Sequence, residues 1–265
     1  FLSANLRDSQ TNKLLFEPYR IIEKESLKIG IVGVTDKLPD TTKSMIADNY
    51  IEAGNHYIDE VSKQADIIVI MVNSNRKTYS ELPTLFANAD IIVTSGSTNM
   101  TRENTAQKEN GPFLYSCGKQ GKYMSVLSVE MEDKKAPIID VSSHEKNISS
   151  IRKRFERLQK KDPNKSLEEL YAGQANVLKI IEQNRNKLKE SETAINSALN
   201  TLKFETIPLN KKIQDNPELL AFVDESLATC SSLKPKVAKT GPKSKSNKKG
   251  KPISKQKRNH IGHDH

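Results

Sequence analysis

Asp66-Ile-Ile-Val-Ile-Met-Val72 is the stretch that decides the fold class, and Asp90-Ile-Ile-Val-Thr94 repeats its pattern: an aspartate, then a short apolar, mostly β-branched run. A strand with one face in water alternates apolar and polar residues, whereas these runs are apolar throughout and read as strands buried on both faces. Lys28-Ile-Gly-Ile-Val-Gly-Val34, ending in Thr35-Asp36, is a third. Residues 46–64 and 79–88 lie between them with the composition of crossover helices, so the expected fold is α/β with a layered sheet. Later strands are expected at 113–116, 124–131 and 137–141; they alternate less cleanly and read as antiparallel or edge strands. The longest apolar run, Ile67 to Val72, is far shorter than the roughly 20 residues of a membrane-spanning helix.

The composition changes near His144. Ile148, Ile151, Phe155 and Leu158 are three and four apart, which predicts a helix with one apolar seam. Lys161-Asp-Pro-Asn-Lys165 breaks it, and Ser166-Leu-Glu-Glu169 has the spacing of a capping box that starts a second helix. That helix is expected to carry Leu167, Leu170, Val177, Ile181, Leu188, Ile195, Ala198 and Leu202 on its seam, interrupted by Asn184 and Ser191. The division that follows is an α/β domain over 1–143, an antiparallel helical hairpin over 144–206, a linker with a short helix over 207–229, and a basic tail over 230–265. The hairpin either packs on its own domain or offers Ile181, Leu188 and Ile195 to another chain.

The net charge of +9 is not spread evenly. Residues 234–258 hold eleven Lys and Arg and no acid, so the body before them is nearly neutral. The tail, almost all Lys, Ser, Pro, Gly and Asn, cannot bury enough apolar surface to offset its ordering entropy and is expected to be disordered. Its basic residues, Lys248, Lys249 and Lys251 among them, suit an acidic protein, phosphates or an anionic surface. It has no aromatic side chain to stack on bases, which disfavours nucleic acid as its partner. His260, His263 and His265 would bind a transition metal only weakly from a flexible segment. The two cysteines, Cys117 and Cys230, form neither a disulfide framework nor a metal pair, and Cys117 is expected to be a buried structural thiol. The chain begins at Phe1 without a signal-peptide pattern, which suggests a processed product or, preferably, part of a longer polypeptide.

Phe1-Leu-Ser-Ala-Asn-Leu6, Phe16-Glu-Pro-Tyr19, Lys28-Ile-Gly-Ile-Val-Gly-Val-Thr35, Ala65-Asp-Ile-Ile-Val-Ile-Met-Val72, Ala89-Asp-Ile-Ile-Val93 and Gly118-Lys-Gln-Gly-Lys-Tyr-Met124 follow one another in a telling order. In that order the first 132 residues or so resemble the C-terminal half of a calcineurin-like metallophosphatase domain of the 5′-nucleotidase type. The resemblance implies a two-metal phosphoesterase fold and an exported protein, periplasmic or extracellular. It also implies histidine ligands after two strands of this half, at positions occupied here by Asn73, Gly96 and Thr98. An amide is a weak ligand, and glycine and threonine do not replace imidazole. The earlier Asp-x-His and Gly-Asn-His-Glu motifs of the family would lie before Phe1. Gly54-Asn55-His56 spells part of the latter but falls within a predicted helix, where His56 reads as an ordinary partly exposed residue.

The reading is therefore a metallophosphatase-like protein without a catalytic centre or cofactor, a scaffold or interaction subunit whose protein partner is met through the hairpin or the tail. One alternative is a metal-dependent phosphoesterase subunit completed by a missing N-terminal part. Another is a basic-tailed binder of nucleic acid or anionic surfaces. Ser95-Gly-Ser-Thr98 is a candidate anion-binding loop, since backbone N–H groups in such turns can cradle an anion.

Overall fold

The structure, a computed structural model, describes residues 1–96 and 99–232. These fall in two compact units, residues 1–213 and the segment beginning at Gln214. The first opens with β1 (Leu6–Asp8), β2 (Tyr19–Lys24), β3 (Leu27–Thr35) and β4 (Met45–Ala47), followed by helix α1 (Tyr50–Val61). Next come β5 (Ile67–Asn73), a 3₁₀ turn over Arg76–Glu81, the short helix α2 (Leu82–Leu85), β6 (Ile91–Ser95) and β7 (Phe113–Tyr115).

The central sheet has the order β2-β3-β5-β6-β7. β2 runs antiparallel to β3, and the remaining neighbours are parallel. The two all-apolar runs are thus interior strands, and burial on both faces explains their lack of alternation. Ile68, Ile70 and Val72 of β5 join Ile58, Val61 and Phe86 in one core. Ile67 and Ile91 turn to the opposite core, with Phe113, Tyr115, Leu202 and Phe204. The aspartates before these runs extend the ladder. Asp66 accepts the Lys28 N–H at 2.9 Å while its own N–H donates to the Lys28 carbonyl at 2.8 Å. Asp90 does the same to Ile68, at 2.7 and 3.0 Å.

Helix α1 starts at Asn49, whose side chain accepts the Ile51 and Glu52 N–H groups. The expected crossover at 46–64 therefore begins with strand β4, and the one at 79–88 is a 3₁₀ turn with a single helical turn. β7 was expected to be antiparallel or edge-like; it is the edge of the central sheet, paired in parallel with β6.

The chain continues with β8 (Tyr123–Met131), β9 (Ile138–Asp140), α3 (Ser142–Gln159), α4 (Leu167–Leu170), α5 (Ala175–Ser197) and β10 (Asn200–Pro208). Ser166 and Glu169 form the expected capping box. The long second helix is interrupted after α4, with Gly173 in the break, and it ends at Ser197. Residues 200–208, expected as helix end and linker, form a strand instead. It pairs antiparallel with β8 over its whole length and parallel with β9. Leu202 and Phe204 alternate with Lys203 and Glu205, a two-residue period that places both apolar side chains in the second core. Phe204 stacks on Tyr115 with ring centroids 4.7 Å apart and planes 16° from parallel, linking the two sheets. The Tyr115 hydroxyl donates to Asp140 at 3.1 Å, and burial together with that carboxylate pushes the phenol's pKa far up.

Helices α3 and α5 pack on each other, so the hairpin belongs to the same compact unit as the sheets. The seam faces inward: Ile181 is 1% exposed and Ile151 5%, while Leu188 and Ile195 are half-buried. Ile181 is therefore not available to a partner chain. Arg152 to Glu192 at 2.7 Å ties the two helices together. In the second unit, α6 (Pro217–Ser232) is longer than the helix expected at 218–228. The basic tail from residue 233, including Lys248, Lys249, Lys251 and the three C-terminal histidines, lies outside the described residues.

Candidate functional site: the carboxyl rim of the parallel strands

In an open α/β sheet, loops leaving the carboxyl ends of parallel strands are where side chains converge on a ligand. Here β3, β5 and β6 end in one row, with Thr35 opposite Asn73 and Asn73 opposite Ser95. The residues just beyond are Asp36, Ser74, Asn75 and Gly96. The Asp36 N–H donates to the Asn73 carbonyl at 2.8 Å, and the Asp36 carboxylate accepts from the Asn75 amide at 3.2 Å. Asn75 in turn accepts the Lys77 N–H at 2.8 Å and starts the 3₁₀ turn. These carboxylate and amide groups hold the loops to one another.

Asn5, from the Ala-Asn-Leu stretch, reaches the same rim from below. It is fully buried, donates to the carbonyls of Thr35 (2.7 Å) and Asp48 (2.9 Å), and accepts the Thr35 N–H (3.0 Å). With both donors of its amide and one lone pair of its oxygen engaged by backbone groups, it braces the end of β3.

Asn73 ends β5 and is exposed at the middle of the rim. Gly96 is adjacent, with φ at +79°. A Cβ on Gly96 would lie 2.6 Å from the Ser74 carbonyl oxygen and 3.1 Å from the Asn73 side-chain oxygen. An L side chain there meets both a left-handed backbone and a carbonyl it cannot displace cheaply. The position holds no imidazole and has no room for one. Thr98 and Ser97 lie outside the described residues, so of the proposed anion loop only Ser95 and Gly96, both exposed, are placed.

A two-metal phosphoesterase centre needs several carboxylate and imidazole donors directed to one point. Among the described residues no three His, Cys, Asp or Glu side chains are grouped to hold a metal ion. Among the described residues the rim offers the Asp36 carboxylate, already bonded to Asn75, and the Asn73 amide; this donor set does not fit such a centre. Gly54-Asn55-His56 lies on α1 and is used for packing. Gly54 lets α1 approach Phe86, Asn55 donates to the Leu85 and Ile51 carbonyls, and His56 is exposed with its ring edge-on to Tyr57. Cys117, expected to be buried, is exposed and free, because it lies past the end of the three-residue strand β7 in a bridge to Met100. Sequence reading missed Asp36 and Asn75 as rim residues. The available signal was that Thr35-Asp36 ends its apolar run as Asn73-Ser-Asn75 ends the next.

The fold is that of a layered α/β protein, and the described residues at its carboxyl rim are mainly amides and hydroxyls, with the one carboxylate of Asp36. Over 42 residues the chain is 50% identical to a 5′-nucleotidase of Vibrio cholerae, a match covering 16% of this chain and 7% of that protein. Over that part the chain is 5′-nucleotidase-like. No family model matches. The structure aligns with sulfate thiohydrolase SoxB of Thermus thermophilus at 17% identity and a TM-score of 0.43, over 49% of this chain and 25% of that one. It aligns with a 5′-nucleotidase from Staphylococcus aureus, described as putative, at 17% identity and a TM-score of 0.41, over 49% and 29%. The chain thus spans well under half the length of these relatives. No helix among the described residues is long and apolar enough to cross a membrane.

Proposed function

We propose that this chain is a non-catalytic 5′-nucleotidase-like protein that serves as a scaffold or interaction subunit of an assembly outside the cytoplasm. The observation that carries the reading is Gly96: its left-handed backbone and the Ser74 carbonyl 2.6 Å from a Cβ leave no place for a metal-binding side chain. Asn73 beside it contributes only an amide, and Asp36 is engaged by Asn75. Resident metal chemistry on this rim would lack the donors that polarise a phosphoryl group and lower the pKa of a bound water. The test is phosphatase turnover of the full chain on nucleoside monophosphates with added Mn²⁺, Zn²⁺ or Mg²⁺. No turnover above buffer is expected, and sustained metal-dependent turnover would overturn the proposal.

The 50% identical segment favours one second reading, a phosphoesterase subunit whose missing ligands come from a polypeptide part outside this chain. Activity restored by adding such a part would support it, provided Asn73→Ala then lowers that activity.

A further inference from the structure

A groove of about 690 Å³ runs between α3 and α5, and none of its lining residues belongs to the carboxyl rim. Lys153, Arg154 and Arg157 line it from α3 and Lys187 from α5, with Ser150 and Asn184 between them. On α3, Lys153 and Arg154 are neighbours, and each is three or four residues from both Ser150 and Arg157, so the four share one broad face of the helix. Glu156 is the single carboxylate on the lining and Ile151 the single large apolar residue. Neighbouring cations are neutralised: Arg152 by Glu192, Arg185 by Glu168 and Lys203 by Glu145. The four in the groove make no ion pair among the described residues, although Arg157 donates to the Lys153 carbonyl at 3.3 Å.

Four unpaired cations facing one groove repel one another, a cost relieved by an anionic occupant. A partner protein would be met by aromatic and long apolar anchors, which concentrate at the centre of protein interfaces, whereas Lys is depleted there. A membrane surface would be met by apolar residues inserted beside the charges. The groove presents neither. Guanidinium, ammonium, hydroxyl and amide groups together are the set that contacts phosphate oxygens along a nucleic-acid backbone. With no aromatic residue to stack an unpaired base, the recognition is of backbone rather than sequence, and of a duplex rather than a single strand. We propose that the α3–α5 groove binds the phosphodiester backbone of a nucleic-acid duplex, independently of base sequence. The proposal uses neither the rim nor the presence or absence of catalysis there.

The test compares the full chain with the variant Arg154→Ala/Arg157→Ala/Lys187→Ala, by fluorescence anisotropy on a labelled DNA duplex of about 20 base pairs, at several salt concentrations between about 50 and 200 mM. Because the tail is also basic, a second variant carries Lys248→Ala/Lys249→Ala/Lys251→Ala. The groove variant should bind at least about tenfold more weakly at the lowest salt, and its log–log salt slope should be shallower by about 2 to 3, near 0.9 for each phosphate no longer neutralised. The tail variant should keep most of the affinity that the groove variant loses. Unchanged binding by a folded groove variant would overturn the proposal, as would tighter binding to an acidic peptide or to anionic vesicles than to the duplex. If the triple variant unfolds, the exposed single changes Arg154→Gln and Lys187→Gln decide it: each should weaken duplex binding about threefold, and no effect from either counts against it.

Discussion

The carbonyl oxygen of Ser74 lies 2.6 Å from where a Cβ on Gly96 would sit, so the turn after β6 closes against the turn after β5 only because residue 96 has no side chain. Gly96 has φ at +79°, a region that costs an L residue about 1–2 kcal/mol. Both Gly96→Ala and Gly96→His should therefore lower stability by about that amount or more, read as a shift of the urea midpoint. Gly96→His should also fail to create a zinc site by calorimetric titration; an unchanged midpoint with new zinc binding would show that the turn accepts an imidazole.

The aspartates ahead of β5 and β6 make the same backbone contacts but should respond to pH in opposite directions. The Lys134 ammonium, then the Lys28 N–H, holds the Asp66 carboxyl below its ordinary value, so its stabilising contribution is present above the unfolded-state value near 3.9 and is lost as pH falls through the folded one. Burial pushes the Asp90 carboxyl up, against the smaller effect of the Ile68 N–H, so its ionisation costs stability as pH rises from about 4 through the raised value. Thermal melts across pH should show the deficit of Asp66→Asn shrinking at low pH. Asp90→Asn can still accept from Ile68 and should gain on the parent as pH rises above about 4, whereas Asp90→Ala orphans that N–H and should cost about 1–3 kcal/mol.

Tyr115 and Phe204 couple the two sheets through a ring stack and the phenol's bond to Asp140. Phe204→Ala should cost about 3–5 kcal/mol by denaturant unfolding, as expected for a large ring 1% exposed. Tyr115→Phe keeps the stack but removes a donor from the buried Asp140, and should cost about 1–2 kcal/mol.

Within Gly54-Asn55-His56 the two ends should behave differently. A Cβ at Gly54 would lie 2.6 Å from a Phe86 ring carbon, so Gly54→Ala should destabilise by about 1–3 kcal/mol. His56→Ala, at an exposed position, should stay within about 0.5 kcal/mol of the parent and leave metal content unchanged.

The parallel core of the fold was legible because its signal is local: Ile67–Val72 and Ile91–Val93 are apolar at each position, and only burial on both faces accounts for that. β10 was not, because Leu202 continues the three-and-four spacing of α5. The competing alternation of Leu202 and Phe204 gains meaning only from distant partners, Val129 and Leu127 on β8. The same limit applied to Ile181, whose place on a seam is visible in sequence while the α3 surface that buries it is not. At the rim, Asn73 and Gly96 stand out in the sequence through a resemblance to a family pattern. That Gly96 is sterically closed, and that Asp36 and Asn75 tie the loops together, depends on three strand ends meeting.

The most direct test of the central claim is metal analysis of the purified full chain by inductively coupled plasma mass spectrometry after equilibration with Mn²⁺ and Zn²⁺ and removal of excess, with phosphatase turnover measured on the same sample. To keep the three histidines of the tail from obscuring the result, His260, His263 and His265 are replaced by alanine. The account predicts well under one metal per chain and no turnover. Two metals per chain with turnover abolished by Asn73→Ala would contradict it.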